Sequence, residues 1–230
     1  MIVRVRAGNP SPLTLSGTNT YVVDGAWVVD PGPLLEPHLD AVVAAVDEPA
    51  GIVVTHSHAD HAEAADALAA RLGVPVAGGL GDGDAVGPFD VLHVPGHADD
   101  HRVFVAGRHA FTGDAVLGEG SVFVSGRLRE YLDGLRRLRA LGLERIHPGH
   151  GDEVDDPDAK LDEYLAHRAE RERKLVAALE SGIAPDDEEA LLDAAWADAP
   201  AAVRPFAAVT LRAHLGKLQE EGRLRVPPER

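Results

Sequence analysis

The chain has 230 residues, 45% of them hydrophobic, with 38 acidic against 22 basic side chains and a formal net charge of −16. That length allows one large domain and a small one around a real hydrophobic core. The excess of acid opposes a protein that coats nucleic acid nonspecifically, because neutralising phosphates needs concentrated Lys and Arg, and the absence of cysteine excludes disulfides, thiolate metal ligands and a cysteine nucleophile.

Segments Ile2 to Arg6, Thr20 to Asp24 and Ala26 to Asp30 alternate or run apolar as strands do, with Asp24 and Gly25 as a hairpin turn. Pro37 to Val46 reads as a helix. The β-branched run Gly51 to Val54 reads as a buried strand, and Ala62 to Leu72 as the helix that follows it. Val91 to Val94 is a further strand-like run. Leu128 to Leu141 reads as a helix whose Leu128, Tyr131, Leu132, Leu135 and Leu138 share one face, a stripe suited to packing on a sheet. Interleaved strands and helices place this part of the chain in the α/β class.

Past the acidic stretch Asp155 to Asp158 the pattern becomes helical. Leu161 to Leu179 is one long helix, Pro185 with Asp186, Asp187 and Glu188 opens a second, and Phe206 to Glu221 forms a third, with Leu211, Leu215 and Leu218 facing its core. Gly222 stops it, and Arg223 to Val226 reads as one strand of a wing. We therefore expect a domain over residues 1–155 and a small winged-helix-like domain over 156–230. Bases concentrate in Arg127 to Arg145 and Arg204 to Arg225. Each patch reads first as a solvated helix face and second as an RNA groove, and the C-terminal domain is a candidate for RNA binding alongside the plainer roles of a lid or a homodimer contact. No run reaches the roughly 18 apolar residues of a membrane span and Met1 to Arg4 does not open a signal peptide, so a cytoplasmic protein with no membrane partner is expected.

The most informative string is Thr55 to His61, THSHADH, between the strand and helix just described. Alternate side chains of an extended segment share a face, so His56, His58 and Asp60 converge while His61 swings away as the helix starts. Two adjacent metals suit that arrangement better than one. Three further ligand candidates, His97 in VPGHADDH, Asp114 in AFTGDAV and His150 in IHPGHGDE, each follow a strand-like stretch and a glycine that frees the backbone to turn.

In the order HxHxDH, PGH, GD, PGH, residues 1 to about 155 resemble the metallo-β-lactamase fold superfamily. The strings NPSPLTLSGTNTYVV (9–23), DPGP (30–33), PGHADDH (95–101) and TGDAVLG (112–118) are similar to the β-lactamase-like proteins that include the mitochondrial single-strand endoribonuclease. The resemblance implies an αββα sandwich followed by the small helical domain. It places His56, His58 and His97 on one metal and Asp60, His61 and His150 on the other, with Asp114 bridging and Asp30 supporting the site. One departure is Ala62-Glu63-Ala64-Ala65, where the family commonly has small residues including glycine.

Imidazole and carboxylate without thiolate suit two zinc ions, although manganese and iron accept the same donors. Two metals about 3.5 to 4 Å apart bring a bridging water to a pKa near 7, and the resulting hydroxide is the expected nucleophile. Asp60 is expected to ligate and to orient it. His101 is the candidate catalytic proton donor or supporting partner. His38, His93, His109, His147, His167 and His214 read as structural or surface residues. A hydroxide of this kind attacks phosphodiesters and thioesters alike. The resemblance favours single-stranded RNA as substrate, and the negative net charge favours a small thioester as in glyoxalase II. A noncatalytic nucleic-acid-binding scaffold has no need of seven convergent ligands.

Overall fold

Residues 1–224 are described by the computed structural model of the protein. Strands β1 (Ile2–Arg6), β2 (Asn19–Val23) and β3 (Trp27–Val29) form an antiparallel meander, and β4 (Gly51–Val53) joins β3 in parallel. Asp24 and Gly25 make the expected hairpin turn, both with positive φ (53° and 66°), the handedness that suits twisted strands. Helix α1 (Glu36–Ala45) crosses between β3 and β4.

The expected helix over Ala62 to Leu72 is two pieces, α2 (Ala59–Ala62) and α3 (Ala65–Leu72). Tertiary bonds interrupt it: the Ala64 N–H donates to the Gly32 carbonyl at 3.0 Å, and the Glu63 carboxylate accepts from the Leu34 N–H at 3.1 Å. The break lies in the segment where this chain departs from the family's glycine-containing pattern.

A second sheet has the order β5 (Ala85–Val86), β6 (Phe89–His93), β7 (Arg102–Ala106), β8 (His109–Gly113), β9 (Arg145–Pro148). It is antiparallel except for the pair β8 and β9. Strands β6, β8 and β9 therefore run the same way, so the loops after them, carrying His97, Asp114 and His150, leave from one edge of the sheet.

Strand alternation builds the layers. Tyr21, Val23, Val29 and Val53 of the first sheet meet Phe89, Val91, Phe104 and Phe111 of the second, while Val22, Val28 and Ile52 face outward onto Leu39 and Val42 of α1 and Leu68 of α3. On the far side, Val103, Val105, Ala110 and Ile146 pack against Leu128, Tyr131, Leu132, Leu135 and Leu138 of α4 (Leu128–Ala140). The result is the expected αββα sandwich.

Helix α5 (Pro157–Glu180) starts at Asp156, whose side chain accepts from the Ala159 N–H. Its Leu161 and Tyr164 belong to the sandwich core, and its Leu175 and Ala178 to a second core with Leu191 and Leu192 of α6 (Glu188–Ala195) and Leu211, Leu215 and Leu218 of α7 (Arg204–Glu220). A continuous helix, not a linker, thus joins the two cores. Of the expected wing, Arg223 and Leu224 lie outside any strand, and Arg225 and Val226 fall outside the described residues. Among the described residues no helix is long and apolar enough to cross a membrane.

Candidate metal centre

The seven residues singled out in the sequence come together at the sheet edge where β4, β6, β8 and β9 end. They form three overlapping groups, His56/His58/His97, His56/His61/Asp114 and Asp60/His61/His150, each with one donor atom per residue within 4.8 Å of the others. In the first group His58 Nδ1 lies 2.9 Å from His56 Nε2 and 3.0 Å from His97 Nε2. In the last, His150 Nε2 lies 3.2 Å from Asp60 Oδ2 and 3.3 Å from His61 Nε2. Asp114 spans the two: its Oδ1 is 3.4 Å from both His61 Nε2 and His150 Nε2, and its Oδ2 is 3.4 Å from His97 Nε2.

These donor sets fit metal ions. Ligands about 2.0–2.1 Å from a tetrahedral metal lie roughly 3.3 Å from one another, close to the 2.9–3.6 Å separations here. Asp114 Oδ1 is also a buried acceptor with no hydrogen bond.

The outer nitrogens of four imidazoles are each tied down, which leaves the inner nitrogen free to ligate. His61 Nδ1–H donates to Asp30 Oδ2 at 2.8 Å. Thr55 donates its N–H and hydroxyl to the two oxygens of Asp30, at 2.7 and 2.8 Å, and its Oγ1 can then accept from His56 Nδ1–H at 3.1 Å. His97 Nδ1–H faces the Phe123 carbonyl at 3.4 Å and His150 Nδ1–H the Gly17 carbonyl at 3.5 Å. Asp30 is 2% exposed and held at φ 51°, a strained conformation for a non-glycine residue. Its part is to orient His61 and Thr55.

Burial holds His56 and His97 below the usual histidine range. At His61 burial opposes the charge, but Asp114 and Asp30 overcome it and keep the ring well above that range. His150 is likewise lifted to about 9, against burial, by the Asp114 and Asp60 carboxylates beside it. Asp114 is held well below the carboxylate range in spite of burial, by His61 and His150. The cluster draws positive charge into a buried place, as a divalent cation site must.

Of the two roles expected of His101, its position fits the supporting one and not the proton donor. It is fully buried behind His56, stacked at 4.7 Å between ring centroids, and its Nε2 accepts from the Asp114 N–H at 3.1 Å. Burial holds it well below its usual pKa, so it is neutral and positions the Asp114 backbone.

Residues 13–92 match the metallo-beta-lactamase superfamily, and residues 188–227 match the beta-lactamase associated winged helix domain. A beta-lactamase-like protein 2 homolog of Caenorhabditis elegans is 31% identical over 96% of this chain and 85% of its own. The chain belongs to the metallo-beta-lactamase superfamily. An atrochrysone carboxyl ACP thioesterase of Aspergillus chevalieri is 34% identical over 77% of this chain and 65% of its own. The fold is shared with a metallo-beta-lactamase family protein from Thermus thermophilus, at 24% identity and a TM-score of 0.74, covering 96% of this chain and 94% of that one. This superfamily member is accordingly a metal-dependent hydrolase with ligand clusters for a dinuclear centre.

Beside the centre of this metallo-beta-lactamase superfamily protein lies a cavity of about 470 Å³. His58, Asp60, His97, Asp114 and His150 line its floor. Its walls come from Leu13 and Leu15 of the N-terminal loop, from Glu119 to Phe123, and from the C-terminal helices through His167, Arg168, Arg171, Trp196, Val203 and Phe206. Phe123 links floor to wall, with its ring 4.8 Å from that of His97 and 5.2 Å from that of Phe206. Sequence reasoning missed these wall residues. Their only signal was helical spacing, with His167, Arg168 and Arg171 within one turn of α5.

The two basic stretches, read as solvated helix faces or as a track for phosphates, are engaged by acids of the same chain. Arg204 pairs with Asp193, Arg212 with Glu188, and Lys217 and Arg223 with Glu172 and Glu221. In the earlier stretch Arg137 pairs with Asp82, Arg139 with Asp158 and Asp162, and Arg145 with Glu153 and Asp155. Acidic and basic runs that are separate in sequence fold onto one another, so the patches are not free. Arg225 lies outside the described residues.

Proposed function

We propose that this protein hydrolyses an acyl thioester at a dinuclear zinc centre, with the C-terminal domain closing the acyl pocket. The observation that carries this reading is the cavity wall: Trp196, Val203 and Phe206 of the C-terminal domain, with Leu13 and Phe123, present apolar surface directly over the metal ligands. Such a wall suits an acyl chain better than a polyanionic strand. The neutralised basic stretches support it, as does a 34% identical relative named as an ACP thioesterase.

His56, His58 and His97 would hold one metal and Asp60, His61 and His150 the other, with Asp114 shared. Divalent ions held there would supply Lewis acidity, for polarising a substrate carbonyl and for lowering the pKa of water towards neutrality. Asp60, with a side chain 29% exposed on the cavity floor, is placed to accept and orient the water's proton. Asp30, Thr55 and His101 hold the ligands in register. The apolar wall excludes bulk water around the scissile bond, which strengthens every electrostatic contact made there.

One observation favours cleavage of single-stranded RNA as the second reading, namely the winged-helix match over residues 188–227. A single comparison separates the two. The zinc-loaded protein is assayed on a panel of acyl thioesters and on single-stranded RNA, across a salt series. Thioester turnover that a chelator abolishes and salt barely alters supports the first reading. RNA cleavage with a steep salt dependence and no thioester turnover overturns it.

A further inference from the structure

Among the described residues two arginines are buried, Arg168 and Arg171, and both lie on α5 in the cavity wall. Arg171 is neutralised, with Asp198 oxygens 2.6 and 2.9 Å from its two terminal nitrogens. Arg168 is 2% exposed and no carboxylate of the described residues pairs with it. Its Nη2 donates to the Val122 carbonyl and to the Ser121 hydroxyl, the latter at 3.2 Å, and its Nε has no acceptor. Its guanidinium lies 5.8 Å from the centre of the Tyr131 ring. Neutral acceptors and an aromatic face attract a cation without cancelling its charge, and a buried cation with no counter-charge is costly.

We propose that Arg168 is a specificity residue for a carboxylate on the substrate, which supplies the counter-charge the protein omits. Ser121 is exposed and follows Gly120, a glycine at φ 70°, so its hydroxyl occupies a place at the cavity surface that a carboxylate oxygen can take over. The planar guanidinium suits two carboxylate oxygens in a fork. A phosphate dianion fits less well, because one guanidinium balances only one of its charges and the Arg171 guanidinium is already taken by Asp198. The proposal rests on the thioester reading for the reaction, but not for binding of the carboxylate itself.

Two substrate pairs test it and tell which side of the thioester carries the acid. On the acyl side, glutaryl and pentanoyl thioesters of N-acetylcysteamine differ only at the chain end. On the thiol side, pentanoyl thioesters of N-acetylcysteine and N-acetylcysteamine differ only by the carboxylate. The zinc-loaded wild type should prefer the acidic member of one pair by on the order of 10- to 100-fold in kcat/KM, the worth of one charge-assisted contact. Arg168→Met should bring that ratio to about one, and Arg168→Lys, which keeps the charge without the fork, should restore part of it. A purely structural arginine would lower both members together and leave the ratio unchanged, which would overturn the proposal. So would a wild-type ratio near one in both pairs. If Arg168→Met does not fold, or if no thioester is turned over, calorimetry of glutarate and of N-acetylcysteine against pentanoate and N-acetylcysteamine on the zinc-loaded wild type decides. Preference for the member with the additional carboxylate, reduced in Arg168→Lys, then upholds Arg168 while a lack of turnover sinks only the reaction, and equal binding of the two members of each pair, or a preference that Arg168→Lys leaves unchanged, overturns the assignment.

Discussion

Asp30 Oδ2 accepts the Nδ1–H of His61 at 2.8 Å, and through this bond a strained residue at the end of β3 sets the direction of a candidate ligand in α2. Asp30→Asn keeps the shape and removes the charged acceptor. It should weaken metal binding about 10- to 100-fold, the usual effect of losing a partner of a ligating histidine. Zinc titration followed by calorimetry checks it, and an unchanged affinity would show that His61 needs no such support.

Asp114→Ala should abolish hydrolysis and lower occupancy of both metal positions, since its two oxygens face separate donor groups. His109→Ala is the control. His109 pairs with His147, away from the ligand set, and its loss should leave turnover nearly intact. Equal losses in two folded variants would show that the wrong residues around Thr112 to Val116 were assigned.

Gly149→Ala should disturb the centre without unfolding the sandwich. A Cβ at that position would lie 2.5 Å from His61 Cε1 and 2.9 Å from Asp114 Oδ1. We expect a folded protein with an unchanged far-ultraviolet spectrum, reduced metal content and little activity. Full metal content would mean that the two ligands can yield at no cost.

The position of Gly149 also marks where sequence reasoning stopped. Each glycine before a ligand was read as freeing the backbone to turn, and this holds for Gly96 and Gly113, at φ 145° and 45°. Gly149 has no such conformation, and what it supplies is room for an imidazole from a distant helix. The ligand strings were legible because they are local, each at a strand end, and the strand directions carry them to one edge. The cavity wall was not legible, because Trp196, Phe206 and Arg171 reach the centre only through the packing of α5, α6 and α7. Charge was misleading for the same reason: Arg212 and Glu188 are 24 residues apart yet bonded.

Acid should loosen the wall before the sandwich. Arg171 holds Asp198 down to about 2, so the folded pKa is below the ordinary carboxylate value of about 3.9. The contribution is therefore fully present above pH ~4 and lost as pH falls through ~2. Trp196, with the Arg171 guanidinium 5.7 Å from its ring centre, reports the change through its fluorescence. Asp198→Asn should remove the part of the transition that lies in this window. A transition unaltered by the substitution would assign it to other carboxylates.

The central claim is a dinuclear centre built by His56, His58, His97, Asp60, His61, His150 and Asp114, and one titration tests it most directly. Metal-stripped protein is loaded with zinc in steps while bound metal and thioester hydrolysis are measured on the same samples. Binding should saturate at close to two ions per chain, with turnover reaching its plateau only there. Full turnover by the metal-free protein, or saturation at a single ion, would contradict the account.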